Sequence, residues 1–193
     1  MRNVVTRTYS ATDYITLAQI KTHLRVTSSD DDTYIGTLLN ACFDYISNLL
    51  GYEIRKSTVD YFFSDNVLHI PARILSITSV HYRDTNGDLQ AWTDYDEVLT
   101  ISANYGYDIT LISEPDLYAY GWKYKVTVVE GFGKSADSVD VSKIFPDDIR
   151  HAIYLLAEHL YANRGSVLVG VNAAELPINH NALISKYSIK EFV

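Results

Sequence analysis

Two consecutive helices are predicted by the stretch ITLAQIKTHLRVTSSDDDTYIGTLLNACFDYISNLLG, residues 15–51. Thr16 and Gln19 have the spacing of a capping box, which satisfies free amides at a helix N-terminus, and apolar residues then recur on one face. The second helix carries a broad apolar stripe and stops at Gly51, a residue suited to a helix C-terminus. The stripe consists of Ile35, Leu38, Leu39, Cys42, Phe43, Ile46, Leu49 and Leu50. This stretch therefore predicts a helical hairpin.

Three consecutive acids, Asp30, Asp31 and Asp32, stand where the second helix should begin. Carboxylates at this position accept hydrogen bonds from free amides and meet the positive end of the helix dipole. A calcium-binding EF-hand loop needs alternating acids, a central glycine and a terminal glutamate, an order that DDDTYIG lacks. Helix capping is thus the first interpretation of these residues.

The hydrophobic period becomes strand-like from Thr58 onward. Seven short segments are rich in β-branched and aromatic residues and are separated by turn residues. They are TVDYFF, VLHI, ILSITSVHY, LQAW, VLTIS, DITLIS and KYKVTVV. Asn86-Gly87 lies between two of them and predicts a hairpin with a type I′ turn. These segments predict a small antiparallel β domain.

Helical periodicity returns at Pro146, which suits the first position of a helix, and continues to Gly165. A short helix is predicted around residues 182–187. The predicted fold class is α+β: a helical domain, made of the helical hairpin and a long C-terminal helix, with an inserted small antiparallel β domain. We place the helical domain at residues 1–57 and 141–193, and the inserted β domain at residues 58–140.

Composition limits the possible partners. The chain has 24 acidic and 16 basic residues, a net charge of −8, so it has no bulk attraction for nucleic acid. A single cysteine, Cys42, excludes an intrachain disulfide and cysteine-based zinc sites. No apolar run is long enough for a signal peptide or a membrane span, so we expect a cytoplasmic chain without a membrane partner. The 16 tyrosines suit either a protein interface or an aromatic core.

The stretch VVEGFGKSAD, residues 128–137, ends like a phosphate-binding P-loop. That motif needs a glycine where this chain has Val128, and it needs a helix that begins at Lys134. The residues after Lys134 show no helical repeat of apolar positions, so both requirements fail. We interpret Gly131 and Gly133 as a turn at the end of a strand. The six histidines include no HExxH motif, and Ser10, Ser135 and Ser166 have no nucleophile elbow around them. We therefore expect no enzymatic activity, no cofactor and no metal site.

Several stretches occur in a recognisable order. They are ITLAQIKTHLRV, DDDTYIGTLLNACFDYISNLLG, SVHYRDTNGDLQAW, YKVTVVEGF and FPDDIRHAIYLLAEHLYANRG, followed by Leu176-Pro177. Together they resemble the head–tail connector (adaptor) proteins of tailed bacteriophages and gene transfer agents. The resemblance covers residues 14 to 187, and its specificity comes from the order and spacing of the stretches.

The resemblance implies a structural virion protein of the neck, assembled in the host cytoplasm. It implies a ring, typically twelve-fold, that is bound below the portal protein, extends the DNA channel and docks a stopper or tail protein. DNA would pass without specific binding, so Asp30, Asp31 and Asp32 are channel-facing candidates, with helix capping as the alternative. A tyrosine-rich ligand- or glycan-binding module is the alternative function.

Two segments near the C-terminus are candidate interfaces. The run SVLVGV, residues 166–171, is apolar on both faces. Its valines, Val167, Val169 and Val171, are inter-subunit candidates unless they pack on the chain's own helices. The tail, residues 179–193, is the candidate portal-binding segment unless it folds back onto its own domain. Its portal-binding candidates are Leu183, Ile184, Tyr187, Ile189 and Phe192.

Overall fold

Helical and β segments form separate units of the chain. The computed structural model describes residues 2–10, 14–66, 68–70, 73–99, 107–113, 115–117, 119–133, 144–164 and 180–188. One unit consists of Met1–Ala11 and Tyr52–Gly133, and we call it the β unit. The other consists of Thr12–Gly51 and Lys134–Val193, and we call it the helical unit.

The described part of the helical unit contains four α-helices. The capping box predicted for the first helix is present, because the Gln19 amide donates to Thr16 Oγ1 at 3.2 Å and the Thr16 amide donates to Gln19 Oε1 at 2.8 Å. The second helix ends at Gly51, which adopts a left-handed conformation with φ 82°. The helices are α1 (Leu17–Leu24), α2 (Asp32–Leu50), α3 (Asp147–Ala162) and α4 (His180–Ile184), and a 3₁₀ turn follows at Ser185–Tyr187.

The core of the helical unit is formed by the apolar stripes of α2 and α3. The Tyr14 ring, just before α1, stacks on Phe145 with 4.5 Å between the ring centroids. The buried apolar side chains include Ile20, Ile35, Cys42, Phe43, Ile46, Ile149, Ala152 and Ile153. None of the described helices combines the length and the apolar character that a bilayer crossing requires.

The described residues of the β unit form eight strands in two antiparallel sheets. The larger sheet has the strand order β1-β2-β8-β4-β5, and the smaller has the order β3-β7-β6. The strands are β1 (Arg2–Tyr9), β2 (Ser57–Phe63), β3 (Leu68–Ile70), β4 (Ile74–Arg83), β5 (Leu89–Trp92), β6 (Tyr95–Leu99), β7 (Tyr107–Leu111) and β8 (Tyr124–Glu130).

The core of the β unit lies on one face of the five-stranded sheet. β2 and β8 alternate strictly between buried and half-buried residues, as expected for strands that cover a core with one face. Their register pairs Val59 with Val128 and Tyr61 with Val126, so these four side chains point into the core together. Leu68, Ile70 and Ile109 of the smaller sheet complete the same cluster.

The predicted arrangement, a helical domain built from a helical hairpin and a C-terminal helix with one small inserted β domain, is wrong. The N-terminal residues form β1, which pairs with β2 as an edge strand of a five-stranded sheet, and a second sheet of three strands is present. The β structure is therefore larger than a single small insertion, and it begins before the first helix. The mixed α+β character remains.

The strand β1 was missed because its sequence lacks apolar alternation. Arg7 pairs with Val59 in the register of β1 and β2, so this arginine occupies a position on the core-facing side of the sheet. A charged residue at such a position conceals a strand from a test based on hydrophobic period. The β-branched residues of RNVVTRTY were the only remaining strand signal.

The β4–β5 hairpin is present, but its turn is not type I′. A type I′ turn needs positive φ at both central residues. Gly87 has φ 89°, whereas Arg25 is the only non-glycine residue with positive φ in the described chain, so Asn86 does not meet this requirement. The Asp84 carboxylate instead accepts the amides of Asn86 at 2.9 Å and Asp88 at 3.0 Å and closes a longer loop.

Candidate interaction surfaces

Asp31 and Asp32 connect α2 to the other helices of its unit. Asp31 Oδ2 accepts hydrogen bonds from Tyr161 Oη at 2.5 Å and from Arg164 Nη2 at 2.7 Å. Asp32 Oδ1 lies 2.5 Å from Lys21 Nζ of α1. The bonds from Tyr161 and Arg164 hold the pKa of the Asp31 carboxyl below its usual range.

The third acid, Asp30, has a different setting. It is exposed, and its Oδ2 accepts a hydrogen bond of 2.6 Å from the neutral Ser28 hydroxyl. The predicted capping by carboxylates is not seen at the N-cap, since the Asp31 side chain makes no capping hydrogen bond there. Asp32 does lie in the first turn of α2, where its charge meets the helix dipole.

Arg164 sits on an aromatic platform at the end of α3. Its guanidinium carbon lies 4.6 Å from the ring centroid of Tyr34 and 4.7 Å from that of Tyr161. The same guanidinium is paired with Asp31, so one arginine joins the start of α2 to the end of α3. Sequence reasoning missed this cluster because 133 residues separate Asp31 from Arg164.

The described part of the C-terminal tail contacts its own helical unit. Ile184 is buried, with 3% of its surface exposed, while Leu183 and Tyr187 are half-buried. Tyr187 Oη donates to Asp148 Oδ2 at 3.2 Å, and Lys186 Nζ lies 2.6 Å from the same atom. Among the predicted portal-binding residues, Ile189 and Phe192 lie outside the described residues.

The predicted inter-subunit residues Val167, Val169 and Val171 also lie outside the described part of the chain. Within that part, the helical unit exposes large apolar side chains along α2. Tyr34, Tyr45 and Leu49 are 36%, 44% and 38% exposed.

The glycine-rich stretch after β8 and the histidines form neither a nucleotide site nor a metal site among the described residues. β8 ends at Glu130, and Gly131 follows with φ 97°, so this glycine forms the bend after the strand, whereas Gly133 lies in a β-bridge and has no positive φ. Phe132 between the two glycines is fully buried. His23 Nε2 lies 3.2 Å from Glu158 Oε2, and no three His, Cys, Asp or Glu residues of the described ranges are grouped as metal ligands.

Comparison with known proteins identifies the fold. Residues 14–108 match the family described as Phage gp6-like head-tail connector protein. A chain in the neck of an empty gene transfer agent (GTA) particle, computed with C6 symmetry, is similar with a TM-score of 0.73 and 17% identity over 98% of both chains.

Two further structures of GTA particles contain chains with a similar fold. A chain from the virion of a native GTA particle has a TM-score of 0.69 and 19% identity, covering 100% of this chain and 97% of that one. A chain in the neck of a native GTA particle, computed with C12 symmetry, has a TM-score of 0.69 and 17% identity over 98% of both chains. Among curated proteins, none matches the sequence. This chain therefore shares the fold of these GTA neck and virion chains, and its residues 14–108 match the family of phage gp6-like head–tail connector proteins.

Proposed function

We propose that the protein is a structural component of the neck of a phage-like particle, where copies of the chain form a ring below the portal protein. The observation that carries this proposal is the similarity over 98% of the chain to a GTA neck protein, which extends far beyond the 14–108 family match. The C6 and C12 symmetries of the two neck structures support a ring of identical subunits.

Exposed apolar surface supports self-association. The side chains of Tyr45 and Leu49 on α2 would gain hydrophobic free energy if a neighbouring subunit covered them. We also assign the run SVLVGV, with Val167, Val169 and Val171, to the contact between subunits, because an uncovered apolar run of this kind favours aggregation. A ring repeats each contact, so that a modest contact per subunit suffices.

The acidic surface suits a channel through which DNA slides. Proteins hold DNA by neutralising its phosphates with Lys and Arg, and this chain has a net charge of −8. Of the three acids considered, Asp31 and Asp32 are already paired with Arg164 and Lys21, whereas Asp30 meets the neutral Ser28 hydroxyl. We therefore assign the channel-facing role to Asp30. The Asp30→Lys ring should retain duplex DNA at low salt more strongly than the natural ring, and equal retention would contradict the assignment.

The portal contact is assigned to the end of the tail. The Ile184 side chain is already buried in the helical unit, and the side chains of Leu183 and Tyr187 are half-buried there. Ile189 and Phe192 follow in sequence as large apolar residues, so we propose that residues 189–193 bind the portal protein. The stopper or tail protein would bind the opposite side of the ring.

Particle mass and shape test the proposed function directly. The purified protein is imaged by electron microscopy and its mass is measured, alone and with portal-bearing heads. We expect rings, either free or only on the heads, at one ring per neck. A protein that stays monomeric under both conditions would refute the ring. The role is that of a structural protein and not of a catalyst.

A further inference from the structure

The described core-side positions of the edge strand β1 are polar, whereas those of the inner strands β2 and β8 include apolar residues. On β2 and β8 the core-facing positions include Val59, Val126 and Val128, all fully buried. On β1 the corresponding positions hold Arg7 and Tyr9, which pair in register with Val59 and Ser57. β1 therefore gains little from the hydrophobic effect at these two positions.

Arg7 reaches a buried carboxylate. Its Nη2 lies 2.6 Å from Glu130 Oε1, and Glu130 is 1% exposed at the end of β8. The other carboxylate oxygen, Oε2, accepts a hydrogen bond of 2.7 Å from Tyr61 Oη, and Ser57 Oγ lies 3.4 Å from Oε1. Burial raises the pKa of Glu130, while Tyr61 and the charge of Arg7 act to lower it. Arg7 thus supplies the positive charge that this buried carboxylate needs.

A second carboxylate extends the contact. Arg7 Nη1 lies 3.3 Å from Glu53 Oε2, which also accepts a hydrogen bond of 3.0 Å from Tyr9 Oη. The other oxygen, Oε1, accepts from the Arg55 amide and from Arg55 Nε, both at 3.0 Å. Burial raises the pKa of Glu53, but the bonds from Arg55 outweigh it and leave this pKa below its usual range. Glu53 has Arg55 as a partner of its own, whereas Arg7 is the only cation in contact with Glu130 among the described residues.

We propose that Arg7 is a latch that holds β1 on the sheet, and that β1 opens as a separate unit while the remaining strands stay folded. Within β1, side chains are described for residues 6–9, and none of these four belongs to the core cluster, so their departure removes no described member of that cluster. Opening would expose the edge of β2 over Ser57–Phe63, a row of amides and carbonyls able to pair with another strand. This inference does not depend on the proposed ring.

The two edges of β2 provide an internal control for the experiment. In an antiparallel sheet, successive residues of a strand direct their amides to opposite neighbours. The Ser10 amide donates to the Lys56 carbonyl at 2.9 Å, so the backbone groups of Lys56 face β1. The Lys123 amide donates to the Phe63 carbonyl at 2.7 Å, so the backbone groups of Phe63 face the β8 side. These two bonds fix which residues of β2 face each neighbour. The amides that face β1 are those of Thr58 and Asp60, and those that face β8 belong to Val59 and Tyr61.

Residue-resolved hydrogen exchange on the purified protein tests the latch. In Arg7→Gln we expect the Thr58 and Asp60 amides to exchange on the order of a hundredfold faster than in the natural protein. The reason is that removing one partner of a buried ion pair is strongly destabilising, and local opening of β1 then becomes more frequent. The Val59 and Tyr61 amides should keep their protection. Thr8→Ala, a change on the opposite face of the same strand, should leave all four rates near those of the natural protein.

Two results would overturn the proposal. One is unchanged exchange at Thr58 and Asp60 in Arg7→Gln. The other is equal acceleration of all four amides, which would mean that β1 and the rest of the sheet open together. If Arg7→Gln does not fold because Glu130 is left unpaired, the double variant Arg7→Gln, Glu130→Gln removes both charges. It should fold and still exchange faster at Thr58 and Asp60 alone; natural rates in the double variant would equally overturn the latch.

Discussion

Gly131 and Arg55 approach so closely that a side chain at position 131 cannot be accommodated. A Cβ built on Gly131 would lie 2.3 Å from the Arg55 carbonyl oxygen and 2.6 Å from the carbonyl carbon. Gly131 also has φ 97°, a conformation that residues with a Cβ rarely adopt. The turn after β8 thus depends on glycine for two separate reasons.

The first prediction follows from this contact. Gly131→Ala should destabilise the protein by at least about 1–3 kcal/mol, because it combines backbone strain with a collision against the main chain. Gly36→Ala is the matched control: Gly36 lies inside α2 with nothing within 4 Å of its Cβ position. That change should stabilise the protein by about 0.5–1 kcal/mol. Urea unfolding of both variants checks the prediction, and an equal effect of the two changes would contradict it.

A second prediction concerns the pH dependence of the Asp31–Arg164 pair. The pKa of Asp31 is lowered in the folded protein, so the pair stabilises the fold above the ordinary aspartate pKa of about 3.9. This contribution is lost as the pH falls through the lower, folded-state pKa. Asp31→Asn should therefore lower the thermal midpoint at pH 7 and have a much smaller effect near pH 2.

The aromatic platform offers a control for the same pair. Arg164→Lys keeps the positive charge but loses the planar group that stacks on Tyr34 and Tyr161. Its thermal midpoint at pH 7 should lie between those of the natural protein and Arg164→Ala. If Asp31→Asn lowers the thermal midpoint by the same amount at pH 7 and near pH 2, the ionised Asp31–Arg164 pair does not contribute to stability.

The third prediction concerns Ile184 and the docking of α4. Ile184→Ala removes a side chain that is 3% exposed, so it should cost about 2–5 kcal/mol of unfolding free energy. Asn181→Ala, an exposed change in the same short helix, should stay within about 0.5 kcal/mol of the natural protein. Denaturant unfolding measures both, and equal stabilities would show that α4 does not contribute its apolar side chain to the core.

The fourth prediction separates the end of the tail from the docked part. Deletion of residues 189–193 should leave the unfolding free energy nearly unchanged, since the contacts of Ile184 and Tyr187 remain. The shortened protein should no longer join portal-bearing heads, because the apolar side chains of Ile189 and Phe192 are lost. Co-sedimentation with heads gives the occupancy, and normal occupancy would rule out the proposed portal contact.

The fifth prediction tests the contact between subunits. Val169→Lys places a charge in the middle of SVLVGV, where a neighbouring subunit would have to bury it. The variant should remain folded as a monomer and fail to form rings, as seen by circular dichroism and electron microscopy. Ser166→Lys at the start of the same run is the control. Rings of Val169→Lys with natural yield would indicate that this run packs elsewhere.

Local sequence by itself determined the helices and most strands of this protein. The capping box of Thr16 and Gln19, the stripe of α2 and the stop at Gly51 depend on residues within one or two turns of each other. The alternation of β2 and β8 likewise depends on neighbours two residues apart. Such short-range patterns can be read before the fold is known, and the order of these elements carried the family resemblance.

Only the tertiary structure decided the place of β1 and the partners of the charged residues. Arg7 can occupy a core-facing position because Glu53, 46 residues later, and Glu130 supply its counter-charges. Asp31 likewise finds Tyr161 and Arg164 across 130 and 133 residues. A buried or half-buried charge is stable only beside its partner, and no local pattern indicates a partner that folding alone brings into contact.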